Sequence, residues 1–200
     1  MVVAVSPQTK MSLQDFLQFD PQNELNYELE EGKLKEMPPE SDLNRRIAMF
    51  LVVYFARLGI SVNRLSQKTE IAVTGSKESV RVPDLMVLSE EAAISLENAT
   101  RSTIMPDMPA PELVIEVVSP GQANITRDYR HKRAQYQARG INEYWIVDPL
   151  EQKITILTLN EYLYDEAVFQ GEQAIASSFL KTLTPDPSIT VAEILQNAPN

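Results

Sequence analysis

Apolar residues recur along this chain in two rhythms. From Ser41 to Leu58, Leu43, Ile47, Phe50, Leu51, Tyr54 and Leu58 fall at helical spacing, and Gly59 supplies a stop. Elsewhere the apolar runs are short, valine- and isoleucine-rich, and bounded by proline or glycine, as strands are. Residues 1 to 11 read as a loose tail, and Ser12 with Asp15 forms a capping box for a short helix from Leu13 to about Phe19. The run NYELEEGKLKEM predicts a hairpin turning near Glu31-Gly32. Two strands follow, about Gln67–Val73 and Val80–Leu88, joined by TGSKES. The second contains Pro83-Asp84, which marks an edge, a bulge or a strand start. Residues 89 to 110 form a polar excursion that ends in the proline-rich IMPDMPAP and reads as a surface loop.

Between Pro111 and Pro149 the pattern is strand, turn, helix, strand: PELVIEVVSP, then a helix from about Asn124 to Arg139 stopped by Gly140, then Asn142 to Val147. KITILTLN, EYLYDEAVFQ and the segment near Ala174 to Phe179 suggest further antiparallel strands. Thr190 with Glu193 caps a last small helix ending near Gln196. Because side chains alternate along a strand, Glu112, Val114, Glu116 and Val118 share one face, and Leu113, Ile115 and Val117 the other. Glu112 at the end can reach water. Glu116 is a carboxylate in mid-strand among apolar neighbours, and an unpaired buried charge is costly. Asp84 is placed alike, on a face with Val82, Met86 and Leu88.

The helix that follows Glu116 is cationic. At 100° per residue, Ile125, Asp128, Tyr129, Lys132, Tyr136 and Arg139 lie on one side, and Arg127, Arg130 and His131 on the other. Lys132 thus stands between two tyrosines. It can snorkel to water, pair with Asp128 four residues back, or reach over the sheet towards Glu116.

Composition narrows the chemistry. The 200 residues, 44% apolar, suffice for one domain spanning residues 1–200 with a core at about 41–148. No run approaches the ~18 apolar residues of a membrane span, and no leader is evident, so a cytoplasmic protein is expected. There are no cysteines, which excludes disulfides, thiolate zinc sites and cysteine nucleophiles; the single histidine, His131, excludes histidine-rich metal sites. A net charge of −10 argues against coating nucleic acid by bulk attraction, though not against a local basic surface.

If the strands of Asp84 and Glu116 pair, the two carboxylates project side by side. At ~4 Å they would repel by about 1 to 4 kcal/mol. Either one carboxyl takes a proton, or a hard divalent cation, magnesium or manganese, sits between them. Two acids, a cation and a lysine are the parts of a phosphodiester-hydrolysing site. Glu28 in the hairpin and Glu40 before the long helix are candidates for a further acid, but solvated carboxylates fit both positions better. Asp148 reads as a turn cap and Trp145 as core, and His131, turned from Lys132, is given no catalytic role.

Pro83-Asp84, ELVIEVVSP and TRDYRHKRAQYQARGINEYWIVDP together resemble the PD-(D/E)XK nuclease superfamily and, within it, the Uma-two family of restriction-endonuclease-like proteins. The resemblance implies an α/β (α+β) fold: a restriction-endonuclease-like αβββαβ core with a mixed sheet flanked by helices. The N-terminal hairpin and the C-terminal strands would be additions. It also implies that Asp84, Glu116 and the Val117 carbonyl bind Mg2+ or Mn2+. The superfamily's lysine normally stands two positions after the second acid, where this chain has Val118. The resemblance therefore assigns that role to Lys132 on the next helix. DNA is the implied substrate and a homodimer the implied assembly. Two other functions stay open: a catalytically inactive nuclease fold that binds nucleic acid or protein, and a hydrolase of RNA or another phosphodiester.

Overall fold

A computed structural model describes residues 10–23, 25–73, 77–185 and 188–196. The chain opens with α1 (Leu13–Gln18), capped by Ser12 and Asp15, and the hairpin β1 (Tyr27–Glu30) and β2 (Lys33–Glu36). Helix α2 (Asp42–Arg57) follows, its Ser41 cap accepting from Asn44 N–H. Then come β3 (Leu65–Ser66), β4 (Glu70–Val73), β5 (Ser79–Arg81) and β6 (Leu85–Val87), helix α3 (Glu90–Ser95) and β7 (Thr103–Ile104). The central unit is β8 (Leu113–Val117), α4 (Gln122–Thr126), a π-helical turn at Arg127–Lys132, α5 (Arg133–Arg139) and β9 (Glu143–Asp148). The long hairpin β10 (Lys153–Asn160) and β11 (Leu163–Gln170) and the helices α6 (Ser178–Leu183) and α7 (Val191–Gln196) complete it.

The strands form two mixed sheets flanked by helices, ordered β2-β1-β5-β4-β7 and β11-β10-β9-β8-β6-β3. The expected α+β class holds, with two sheets where one was expected. The strand expected at 67–73 forms as β4 alone, preceded by the short β3 of the other sheet, while the one expected at 80–88 is cut in two and shared between the sheets. Val82-Pro83-Asp84 makes the cut: Pro83 cannot donate to a ladder, so the chain leaves β5 and re-enters the other sheet as β6. The excursion at 89–110 is not a plain loop, since α3 packs there and β7 pairs parallel with β4. The segment near Ala174–Phe179 is not a strand; it makes one bridge, Ala174 to Thr190, and then α6 starts on its Ser177 cap. Met11, placed in the expected loose tail, is buried and donates its N–H to Gly32 O. Residues 1–9 and 74–76, in the expected tail and turn, lie outside the described residues.

Strand β8 is buried along its whole length and separates two clusters. Leu113, Ile115 and Val117 pack with Ile47, Leu51 and Phe55 of α2 and with Trp145. Val114 and Val118 pack on the other face with Tyr136, Tyr144 and Met86. The alternation read from the sequence is therefore the one in the fold, and it sets Glu116 on the side of α5. Gly140, at φ 78°, ends α5, and Ile141 N–H closes the cap on Tyr136 O at 3.1 Å. This turn drops the chain into β9, parallel to β8 with Glu116 opposite Ile146. Among the described residues no helix is long and apolar enough to cross a membrane.

Candidate functional site

Strands β6 and β8 pair antiparallel, Leu85 with Ile115 and Met86 with Val114. Continuing that register by one residue sets Asp84 opposite Glu116. Asp84 Oδ2 accepts the Val117 N–H at 2.6 Å, so the β-ladder ends on a side chain instead of a carbonyl. Glu116 is 3% exposed and Lys132 2%. Lys132 Nζ lies 2.7 Å from Glu116 Oε2 and 3.5 Å from Asp128 Oδ1. Both partners considered for this lysine are thus present at once. The other Glu116 oxygen accepts the Tyr136 hydroxyl at 2.6 Å.

The π turn explains a departure from the expected helical wheel. A π turn adds a residue to the helix, and Arg127, expected to face away, is buried with its Nε 3.2 Å from Asp128 Oδ1. His131 does point outward, as expected, 3.9 Å from Glu30.

The electrostatics are those of a crowded anionic site. Burial, reinforced by the charge of Glu116, pushes the Asp84 carboxyl well above the usual carboxylate range. Burial also raises Glu116, with Asp128 adding to the rise and Lys132 and Tyr136 opposing it. For Lys132 burial favours the neutral amine, yet Glu116, Asp128 and Glu28 outweigh it and hold the ammonium charged. Lys132 is therefore a cation and a donor at any ordinary pH.

Glu28 is corrected by the structure. Expected to be solvated, it is wholly buried, accepting Arg81 Nη1 at 2.9 Å and the Val82 N–H at 3.0 Å. Burial would raise it, but Lys132 and Arg81 together bring it below the usual range. Its neighbourhood was encoded across the strands: Leu29 pairs with Val80, so Glu28 falls beside Arg81. Glu40 is exposed, as expected, on the rim of a cavity of about 560 Å³ that Asp84, Arg45, Lys68, Phe19 and Tyr27 also line. Asp148 caps its turn through the N–H groups of Leu150 and Glu151, and Trp145 is core.

Two contributors were not singled out beforehand. Tyr136 fixes Glu116, and buried Asn44 donates to Val117 O and Ser119 Oγ, both at 3.1 Å. Asn44 did leave a signal, since it stands at helical spacing with Ala48, Leu51 and Phe55 on the core side of α2.

A divalent cation fits these donors. Two carboxylates and a backbone carbonyl are hard oxygen ligands. The Val117 carbonyl, with two lone pairs, keeps one free beside the Asn44 amide. Burial disfavours the charged form of Asp84, so its carboxyl keeps a proton that a cation would displace. Among the described residues there is no group of three or more His, Cys, Asp or Glu able to hold an ion.

Residues 13–192 match the model of the Uma2 family, described as "Putative restriction endonuclease". The chain belongs to the Uma2 family. A crystal structure described as a "putative nuclease belonging to DUF820 from Anabaena variabilis ATCC 29413" superposes with a TM-score of 0.67 at 19% identity, covering 94% of this chain and 99% of that one. At that identity the likeness establishes a shared restriction-endonuclease-like fold. No curated protein matches the chain. Membership in Uma2 supports a nuclease-like function with nucleic acid as the substrate class, and restriction-endonuclease-like proteins generally use divalent metals.

Proposed function

We propose that this Uma2 protein is a Mg2+- or Mn2+-dependent nuclease that hydrolyses DNA phosphodiester bonds. Asp84, Glu116 and the Val117 carbonyl would hold the ion, and Lys132 would act beside it. One observation carries the reading: groups from three separate segments converge, with Lys132 Nζ 2.7 Å from Glu116 while the next backbone N–H binds Asp84. A bound cation supplies Lewis-acid stabilisation of the charge that develops at the phosphate. The remaining work falls to the chain. Asp84 fronts the cavity where a phosphodiester would enter. Lys132, held charged, cannot take a proton, so it donates hydrogen bonds that orient the attacking water or a phosphate oxygen. Tyr136 locks the Glu116 rotamer. Attack forms one P–O bond and breaks one, the water's proton passing to solvent and the leaving oxygen gaining one.

The test is cleavage of duplex DNA, single-stranded DNA and RNA with Mg2+, Mn2+ or chelator, by the wild type, Asp84→Asn, Glu116→Gln and Lys132→Ala. DNA cleavage lost in each variant and with chelator supports the assignment. Full activity in Lys132→Ala reassigns the lysine, and preference for RNA changes the substrate.

A second reading also has its observation. Both Glu116 oxygens are already satisfied by Lys132 and Tyr136, as suits a nuclease fold that binds without turnover. Calorimetry separates the two: equal heats of Mn2+ binding in the wild type and in the doubly substituted Asp84→Asn, Glu116→Gln protein remove the metal site and favour the inactive module.

A further inference from the structure

Helix α2 carries a second groove whose use is unassigned. It encloses about 630 Å³ and runs from Arg45 and Arg46 past Met49, Phe50 and Tyr54 to Arg57. Arg45 and Met49 also line the cavity at Asp84, so the two hollows adjoin across these two side chains. Met49 and Val53 are 45% and 42% exposed, a large apolar display for one helix of a charged surface. The rings of Phe50 and Tyr54 are stacked, 6.5 Å apart and 17° from parallel.

The charges are as telling as the apolar surface. In a chain of net charge −10, three of its 18 basic side chains stand along this one helix. The acids nearby are committed. Glu193, on the far lip, accepts Thr190 N–H and Oγ in the α7 cap. Asp42 pairs with Arg45 and Arg46 at 2.6 and 3.1 Å, with all three partly or largely in solvent. Such surface pairs are weak, so a phosphate can take Asp42's place.

We infer that the exposed face of α2 is a track for a single-stranded polynucleotide leaving the Asp84 site. Its bases would lie on Met49, Phe50, Val53 and Tyr54, and its phosphates on Arg45, Arg46 and Arg57. The inference rests on the nuclease reading above and deepens it. Apolar and aromatic side chains interleaved with cations are what unpaired bases and their backbone require, whereas a duplex offers mainly phosphates to such a surface. From Arg45 to Arg57 the helix rises about 18 Å, long enough for a short stretch of strand to contact the cations at both ends.

The test measures anisotropy of a fluorescent single-stranded oligonucleotide, and of the same sequence as duplex. It uses the Asp84→Asn, Glu116→Gln protein so that cutting cannot interfere. Single strand should bind more tightly than duplex. Arg46→Ala with Arg57→Ala should weaken binding about tenfold and lower the slope of log affinity against log salt by about 1.4, the value for two phosphate contacts. Arg57→Ala alone, at an exposed helix end, should lower it by about 0.7 even if the half-buried Arg46 affects folding. Val53→Glu should also weaken binding. Duplex bound as tightly as single strand, or variants that keep the parent affinity and slope, would overturn the track. So would a dimer in sedimentation that Val53→Glu dissociates, which would give the face to a second copy. Failure of the nuclease reading looks different: the wild type would cut nothing, whatever it binds.

Discussion

Lys132, buried in the protein, serves two anions, Glu116 and Asp128. Removing one partner of a buried pair typically costs about 3 to 5 kcal/mol because the other charge is stranded. Lys132→Met is therefore expected to lower the unfolding free energy by about that amount at neutral pH in a denaturant titration. The deficit should shrink as pH falls, because burial already raises the Glu116 carboxyl and protonation removes the stranded charge. Tyr136→Phe removes one hydrogen bond to a charged group, a loss of about 1.5 to 3 kcal/mol, by the same measurement. Legibility at this scale divides by mechanism. Asp84, Glu116 and Lys132 stood out because each breaks an apolar pattern. Tyr136 did not, since a buried tyrosine looks the same whether its hydroxyl serves a site or only the core. Glu28 was missed because its cation is 53 residues away in sequence and only the pairing of β1 with β5 brings them together.

The elements show where local rules suffice and where neighbours decide. The capping boxes of α1 and α7 and the strands of the long β10–β11 hairpin follow from residues a few positions apart, and all were legible. The division of the expected strand at 80–88 between two sheets was not, because a proline break states that a ladder ends and not which sheet receives the chain afterwards. Nor was the π turn, whose extra residue brings Arg127 into the core, where its Nε meets Asp128. Gly140→Ala is expected to cost about 1 kcal/mol. At φ 78° an added Cβ meets nothing within 4 Å, so the cost is purely one of backbone conformation and should appear as a lower thermal midpoint. On β1, Glu30 is brought from 4.5 down to about 2 by Lys35 and Arg81, against the opposing effect of burial. Its folded-state value lies below the unfolded one, so the stability it contributes is complete above about pH 4.5 and is lost as pH falls towards 2. The stability gap between the wild type and Glu30→Gln should close across that interval in acid titrations followed by circular dichroism.

At the scale of the molecule, α2 backs β8 on one side while α5 and the π turn cover the other, so the site lies at the junction of the two sheets. Binding there should stabilise the whole chain. Mg2+ or Mn2+ at a hundred times its dissociation constant is expected to add about 2.7 kcal/mol, read as a rise in thermal midpoint that Asp84→Asn with Glu116→Gln abolishes. An unchanged midpoint in the wild type would count against the ion.

The placement of Glu116 also bears on how the chain reaches its fold. A strand paired one position out of step turns every side chain to the opposite face. Were β8 to slip in that way, Glu116 would point at Phe55 and Trp145, far from any ammonium, and Val117 would take its place facing Lys132. The misaligned chain would bury one lone carboxylate and take from Lys132 the nearer of its two anions, so the acid proposed for catalysis also proofreads the strand that carries it.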